Sequence, residues 1–309
     1  MTSGSRPLGL PTGQPRAAGI MLLAGSTMLA AAIVVPAAIA VAPGQGSESA
    51  AARLPVPDLV EIQAGTFRHR AAGEFLQEGK PVTAPLATVA IKRTLAVMRH
   101  QVTAADYQRC VEAEACPAVD RDEAAPDLPV VKVSWRDAHA YASWLSRATG
   151  VPFRLPTDEE WAYAAASRFR DDALPDTGGD PGQRALARYE RDTSREDGSD
   201  QRPRPIGSFG ANENGLLDVA GNVWEWTDTC YARRALDARG DATTTNVNCG
   251  VRVVEGRHRT YMADFIGDAR AGGCSTGVPP SNLGFRLVRD AGSPRLLLAQ
   301  VRRFLGLLI

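Results

Sequence analysis

The spacing of apolar and polar positions changes several times along the chain, and each change predicts an element. Residues 1–18 are polar, with Arg6 and Arg16 as their only charges. Gly19 to Ala42 then carries no charged residue and is long enough to cross a bilayer. Ala38-Ile-Ala40 and Ala40-Val-Ala42 both read as cleavage sites, so an export signal and an uncleaved anchor fit equally. Residues 43–57 are rich in Ala, Gly, Ser and Pro and read as a linker. Short β-prone runs follow at Leu59–Ile62 and Ala87–Ile91, with a loop expected over residues 70–85.

Three helices announce themselves by their first turns. Thr103 with Asp106, Ser134 with Asp137 and Thr157 with Glu160 place a capping hydroxyl three residues before a carboxylate. In the second helix Ala138, Tyr141, Ala142 and Leu145 recur at helical spacing, and Gly150 supplies the stop. Asp158 and Glu159 suit the positive end of the third helix, so no catalytic role is needed to explain that acidic triplet. His139, on the second helix, has no second ligand a turn away and reads as a surface or packed residue. Residues 168–204 and 232–248 read as polar loops, Val251–Val254 and Leu283–Val288 as strands. Residues 291–309 form a tail whose apolar helix is too short to span a membrane. It docks on the domain or lies at a membrane interface.

Charge and cysteine content narrow the picture. The 309-residue chain holds 35 basic and 35 acidic residues, and no basic stripe interleaved with aromatics, so nothing points to nucleic acid. Cys110, Cys116, Cys230, Cys249 and Cys274 form no Cys-x-x-Cys pair. In an oxidising compartment Cys110 and Cys116 can close a short loop at a helix end, and Cys230 and Cys249 the loop they flank. An odd count leaves at least one thiol unpaired within a monomer.

The most informative stretch is Asn212 to Asp228. Asn214-Gly215 and Gly221-Asn222 read as turns. Trp224 and Trp226 share one face if the segment is a strand. Asp218 and Glu225 stand beside turn carbonyls, a donor set that suits a hard cation such as calcium. The plainer reading is a turn whose polar side chains cap backbone groups and whose tryptophans fill the core.

The pattern Asn-x-x-Gly-Leu-x-Asp-x-x-Gly-Asn-Val-Trp-Glu-Trp in this stretch resembles the signature of the formylglycine-generating enzyme, or sulfatase-modifying factor, family. Pro129–Trp144, Phe153–Ala166 and Asn282–Val288 resemble further family segments in the same order, with weaker likeness at Ile62–Phe67 and His100–Tyr107. The resemblance implies an α+β domain over residues 58–290 with an irregular, loop-rich, C-type-lectin-like fold. It implies structural calcium held by the Asp218 and Glu225 side chains and the Gly221 and Val223 carbonyls. Enzymes of this family oxidise a cysteine of a sulfatase with dioxygen, using Cu(I) between two cysteines, and paired soft thiolates suit that ion. Aligning Thr260-Tyr261-Met262 with the family strand puts Ala263 at the first of these cysteines and the second at or near Asp268. Neither side chain supplies a thiolate.

Two functions are therefore expected, both in the bacterial periplasm or on the periplasmic face of the inner membrane. One is an oxidoreductase-like enzyme acting on a peptide-derived or siderophore-like small-molecule substrate, its redox metal unknown. Its nearest analogy is the pyoverdine-maturation branch. The ergothioneine-type branch, with its histidine-ligated iron and extra N-terminal domain, is a poorer match. Candidate residues are His258 as acid or base, Asp264, Asp268, Arg270 and Cys274 as a reactive thiol, with Tyr261 and Arg270 contacting substrate. The other is a binding module for a peptide, glycan or envelope partner. Sulfatase cysteine oxidation is third. Membrane contact, through residues 19–42 or the tail, is compatible with either.

Overall fold

The computed structural model describes residues 53–119, 125–170, 202–267 and 282–290, with scattered positions between 180 and 190. The expected signal or anchor at 19–42 and the tail helix lie outside the described residues. The architecture is α+β. Six strands open the domain: β1 (Leu59–Ile62), β2 (Gly65–Arg70), β3 (Glu74–Gln77), β4 (Lys80–Val82), β5 (Leu86–Ile91) and β6 (Leu95–Met98). Helices α1 (Ala104–Glu112) and α2 (Trp135–Thr149) follow, then β7 (Phe153–Arg154) and α3 (Asp158–Ala165). Two long strands come next, β8 (Trp224–Leu236) and β9 (Ala242–Glu255). The short strands β10 (Thr260–Ala263), β11 (Leu283–Gly284) and β12 (Val288–Arg289) complete the order.

All three helices start as their sequences predict. Thr103, Ser134 and Thr157 each accept the backbone N–H three residues on, and Asp106, Asp137 and Glu160 each reach back to the cap's own N–H. Gly150 ends α2 at φ 76°, the left-handed conformation a glycine enters without steric cost. The apolar face of α2 (Ala138, Tyr141, Ala142, Leu145) packs against Trp224, Trp226 and Phe285 in the larger core. A second core joins Val60, Ile62, Leu95, Val97 and Val288 to Trp161 of α3 and to Leu216 and Val219.

Three segments differ from expectation. Residues 70–85 hold the hairpin β3–β4, turned at Glu78-Gly79 with φ of 52° and 77°. Positive φ at both central residues suits a tight hairpin, but Glu in place of Asn or Asp hides it in the sequence. Residues 232–248 are mostly strand: β8 and β9 pair antiparallel as far as Leu236↔Ala242 around a turn at Asp237–Asp241. Residues 242 to 250 of β9 are exposed, so no apolar alternation marks the strand. The closing strand splits into β11, parallel to β8, and β12, antiparallel to β6 and β7. Phe285-Arg286-Leu287 lies between them, fully buried. The sheet ordered β10-β9-β8-β3-β4 thus carries the residues of interest, with β11 joined to β8.

Both expected disulfides are present, Cys110–Cys116 and Cys230–Cys249. They consume four of the five cysteines, so Cys274 has no cysteine left to bond within the chain.

Candidate functional site

The signature segment enters β8 through a turn that aims its carbonyls inward. Asp218, Ala220 and Asn222 all have φ near +58° (58°, 57° and 59°), a region that costs a non-glycine residue on the order of 1 kcal/mol or more. In return the Asp218, Gly221 and Val223 carbonyls converge, joined by Glu225 Oε1. At their focus stands the side-chain nitrogen of Gln101, 3.5, 3.3 and 3.4 Å from the three carbonyls and 2.8 Å from Glu225. Gln101 and Glu225 are both fully buried.

Glu225 and the two tryptophans alternate along β8, so Glu225 faces away from them. Its oxygens accept from Gln101 Nε2, from the Trp161 indole N–H at 2.8 Å, and from Arg286 Nε and Nη2 at 2.6 and 2.8 Å. Arg286 also donates to the carbonyls of Leu217, Arg99 and Met98. The Asp218 carboxylate does not face this cage, contrary to expectation. It accepts from the backbone N–H groups of Gly207 and Phe209 at 2.5 and 2.7 Å, because the left-handed turn points the side chain back along its own loop. Three carbonyls and one carboxylate oxygen converge in the cage, but the carboxylate is already paired with Arg286, so it has little charge left to give a calcium ion. A nitrogen donor stands among them, so the arrangement as it stands does not fit the ion.

The segment after β9 holds the described candidates. Gly256 passes so close to Trp224 that a Cβ there would lie 2.6 Å from the indole ring. Backbone this near the ring admits only glycine. His258 stands edge-on to Trp224, ring centroids 5.5 Å apart, with Nδ1 3.2 Å from the Arg259 carbonyl. The Tyr261 hydroxyl accepts the Gly73 N–H at 2.8 Å, and its ring meets Tyr231 edge to face. Asp264 takes Arg136 Nε and Nη2, both at 3.1 Å. The three candidates thus meet three different parts of the fold, and two surface cavities among the described residues, of about 150 and 320 Å³, are lined by none of them. Ala263, at the end of β10, pairs with Val251 of β9. Its methyl group cannot ligate copper, so the described one of the two expected positions does not fit that metal. Asp268, Arg270 and Cys274 lie outside the described residues.

Beside this segment is a buried ionic cluster that sequence reasoning missed. Arg259 turns inward between Asp158 Oδ1 at 3.0 Å and Glu255 Oε1 at 2.7 Å. His69 Nε2 lies 2.9 Å from Asp158 Oδ2 and 3.2 Å from Arg259 Nη2. All four side chains are at most 5 % exposed. Burial pushes the Asp158 carboxyl up, but the Arg259 charge and the His69 hydrogen bond outweigh it and hold the group below the usual range. Burial raises Glu255 well above that range; the neighbouring Asp158 charge adds to the effect, against the pull of Arg259. Asp158 thus serves β2, α3 and β9 together, beyond its place in a helix first turn. The available signal was His69, on the inward, period-two face of β2 with Phe67.

The chain matches the family model for the sulfatase-modifying factor enzyme 1-like domain over residues 45–291. It is 33% identical over 178 residues to an inactive C-alpha-formylglycine-generating enzyme 2 of Mus musculus, covering 55% of this chain and 51% of that protein. It is 34% identical over 183 residues to a formylglycine-generating enzyme of Streptomyces coelicolor, covering 54% of each. The chain therefore spans about half the length of these curated relatives. Among solved structures, PvdO from Pseudomonas aeruginosa aligns with a TM-score of 0.49 at 23% identity, covering 76% of this chain and 94% of that one.

Proposed function

The chain belongs to the family of sulfatase-modifying factor enzyme 1-like domains, and from that premise we propose that it is an exported module that binds a peptide partner without copper-dependent cysteine oxidation. One observation carries the reading. Strand β10 ends in the methyl group of Ala263, where the family resemblance expects a copper-ligating cysteine, and Asp268 stands at or near the second position. The engagement of Tyr261 by Gly73 and of Asp264 by Arg136 supports it, since both side chains hold the scaffold together. Two disulfides support an oxidising compartment.

The test incubates the purified chain with Cu(I), dioxygen, a thiol reductant and a cysteine-containing sulfatase peptide, and reads aldehyde by mass spectrometry. No aldehyde is expected; stoichiometric aldehyde would overturn the reading. In parallel, a displayed library of random peptides is panned against the immobilised protein. Enrichment of related sequences is expected, and a library that stays random sinks the binding role.

A second reading rests on a different observation: the two disulfides use the other four cysteines, so Cys274 has no cysteine of this chain to pair with. A reactive thiol there, with His258 as acid or base, would serve oxidoreductase-like chemistry on a peptide-derived or siderophore-like substrate. Iodoacetamide labelling as a function of pH separates the two. A thiolate that persists below about pH 7 favours catalysis, and an ordinary thiol titrating near 8.5 favours the binding module.

A further inference from the structure

We propose that the side-chain amide of Gln101 takes the place of a metal ion in the signature turn, so that this turn is held together without calcium. The carbonyls of Asp218, Gly221 and Val223 and Glu225 Oε1 all lie within 3.5 Å of Gln101 Nε2. A cation ligated by the same oxygens needs the same point in space. With no cation at the focus, the amide nitrogen is the atom that suits these surroundings: turned the other way, its oxygen would face four oxygens and no donor. With the nitrogen inward, two N–H groups are shared among four acceptors. The outward Gln101 Oε1 has no hydrogen-bond partner among the described residues, so the inward bonds decide the orientation.

Charge supports the same conclusion. A divalent ion is held by carboxylates that have charge to give. The Glu225 charge is already met by Arg286 through both of its oxygens. That of Asp218 is spent on the Gly207 and Phe209 amides. A doubly charged ion at the focus would sit beside the buried Arg286 guanidinium with no free carboxylate to offset it. A neutral donor bridges the converging carbonyls without adding charge.

The substitution Gln101→Glu tests this directly. It puts a carboxyl oxygen where the amide nitrogen stood, facing four oxygens, so a cation or a shared proton must reconcile them, and melting at about pH 8 favours the cation. The full chain and Q101E are each melted in chelator and in millimolar calcium, and calcium per chain is measured by elemental analysis after gel filtration. The wild type is expected to melt at the same temperature in both and to carry no stoichiometric calcium. Q101E is expected to melt lower in chelator and to gain about 4 °C or more with calcium. Stoichiometric calcium in the wild type, or a chelator-sensitive wild-type melt, overturns the proposal. A Q101E melt indifferent to calcium overturns it too, because the amide would then not mark a cation position. If Q101E does not fold in chelator, its refolding yield with and without calcium gives the same reading.

Discussion

Replacing Arg286 with methionine removes the guanidinium that neutralises Glu225 while keeping an apolar stem of similar length. Both residues are at most 1 % exposed, so water cannot take over the interaction. Glu225 would lose two charge-assisted hydrogen bonds, at 2.6 and 2.8 Å, and keep only the neutral donors of Gln101 and Trp161. The Leu217, Arg99 and Met98 carbonyls would lose a donor as well. Breaking a buried pair by removing one partner costs about 3–5 kcal/mol, because a charge is left buried without its counter-ion. For a domain of this size each kcal/mol moves the midpoint by about 2–4 °C, so R286M is expected to melt about 6–20 °C lower. The assay is paired thermal and urea denaturation of R286M, E225Q and the double variant R286M/E225Q. The double variant should be more stable than the sum of the single losses predicts, because neither charge is then stranded. A loss below about 1 kcal/mol for R286M, or strict additivity in the cycle, would refute this account of the signature turn.

Three further outcomes follow from the geometry. Glu255, raised by burial, binds its proton more tightly folded than unfolded; its contribution is complete below its unfolded value of about 4.3 and is lost as pH rises through the folded value. E255Q keeps a neutral side chain of the same shape, so its melting temperature relative to wild type should climb as pH rises above about 4; a flat difference would show that Glu255 is not held protonated. Asp158, held low by Arg259 and His69 against its burial, acts in the opposite sense. D158N should remove stability at neutral pH, and the loss should shrink as pH falls below about 4, which acid-titrated denaturation curves read. The disulfides close loops of different length, with sequence separations of 6 and 19. Replacing Cys110 and Cys116 by serine should cost about 2 kcal/mol and replacing Cys230 and Cys249 about 3 kcal/mol in urea titrations, and the reverse order would count against the loop-entropy argument.

Local patterns were legible in the sequence wherever the cause was local. The three capping boxes depend on residues three apart, and each formed. The two disulfides depend on cysteines close in sequence, and the shared burial of Trp224 and Trp226 on the period of a strand. The ordered motifs carried the family, because they record many such positions together. The β3–β4 hairpin and the outer half of β8–β9 were not legible. One turns on an uncommon Glu-Gly pair, and the other has polar residues on both faces and so no apolar period to read.

Only the tertiary structure decided what fills the signature cage and where the buried charges meet. Gln101 and Glu225 are 124 residues apart, His69 and Arg259 190 apart, and Arg286 and Glu225 61 apart. Nothing in the sequence near any of them names its partner. The sequence determined that Asp218 and Glu225 would sit beside turn carbonyls. The left-handed backbone at Asp218 turned its carboxylate away, and the packing of Gln101 from beyond β6 put an amide nitrogen at the focus. A buried charge or an inward carbonyl must find its complement in space, and that complement is set by how the strands and helices assemble, not by their order along the chain.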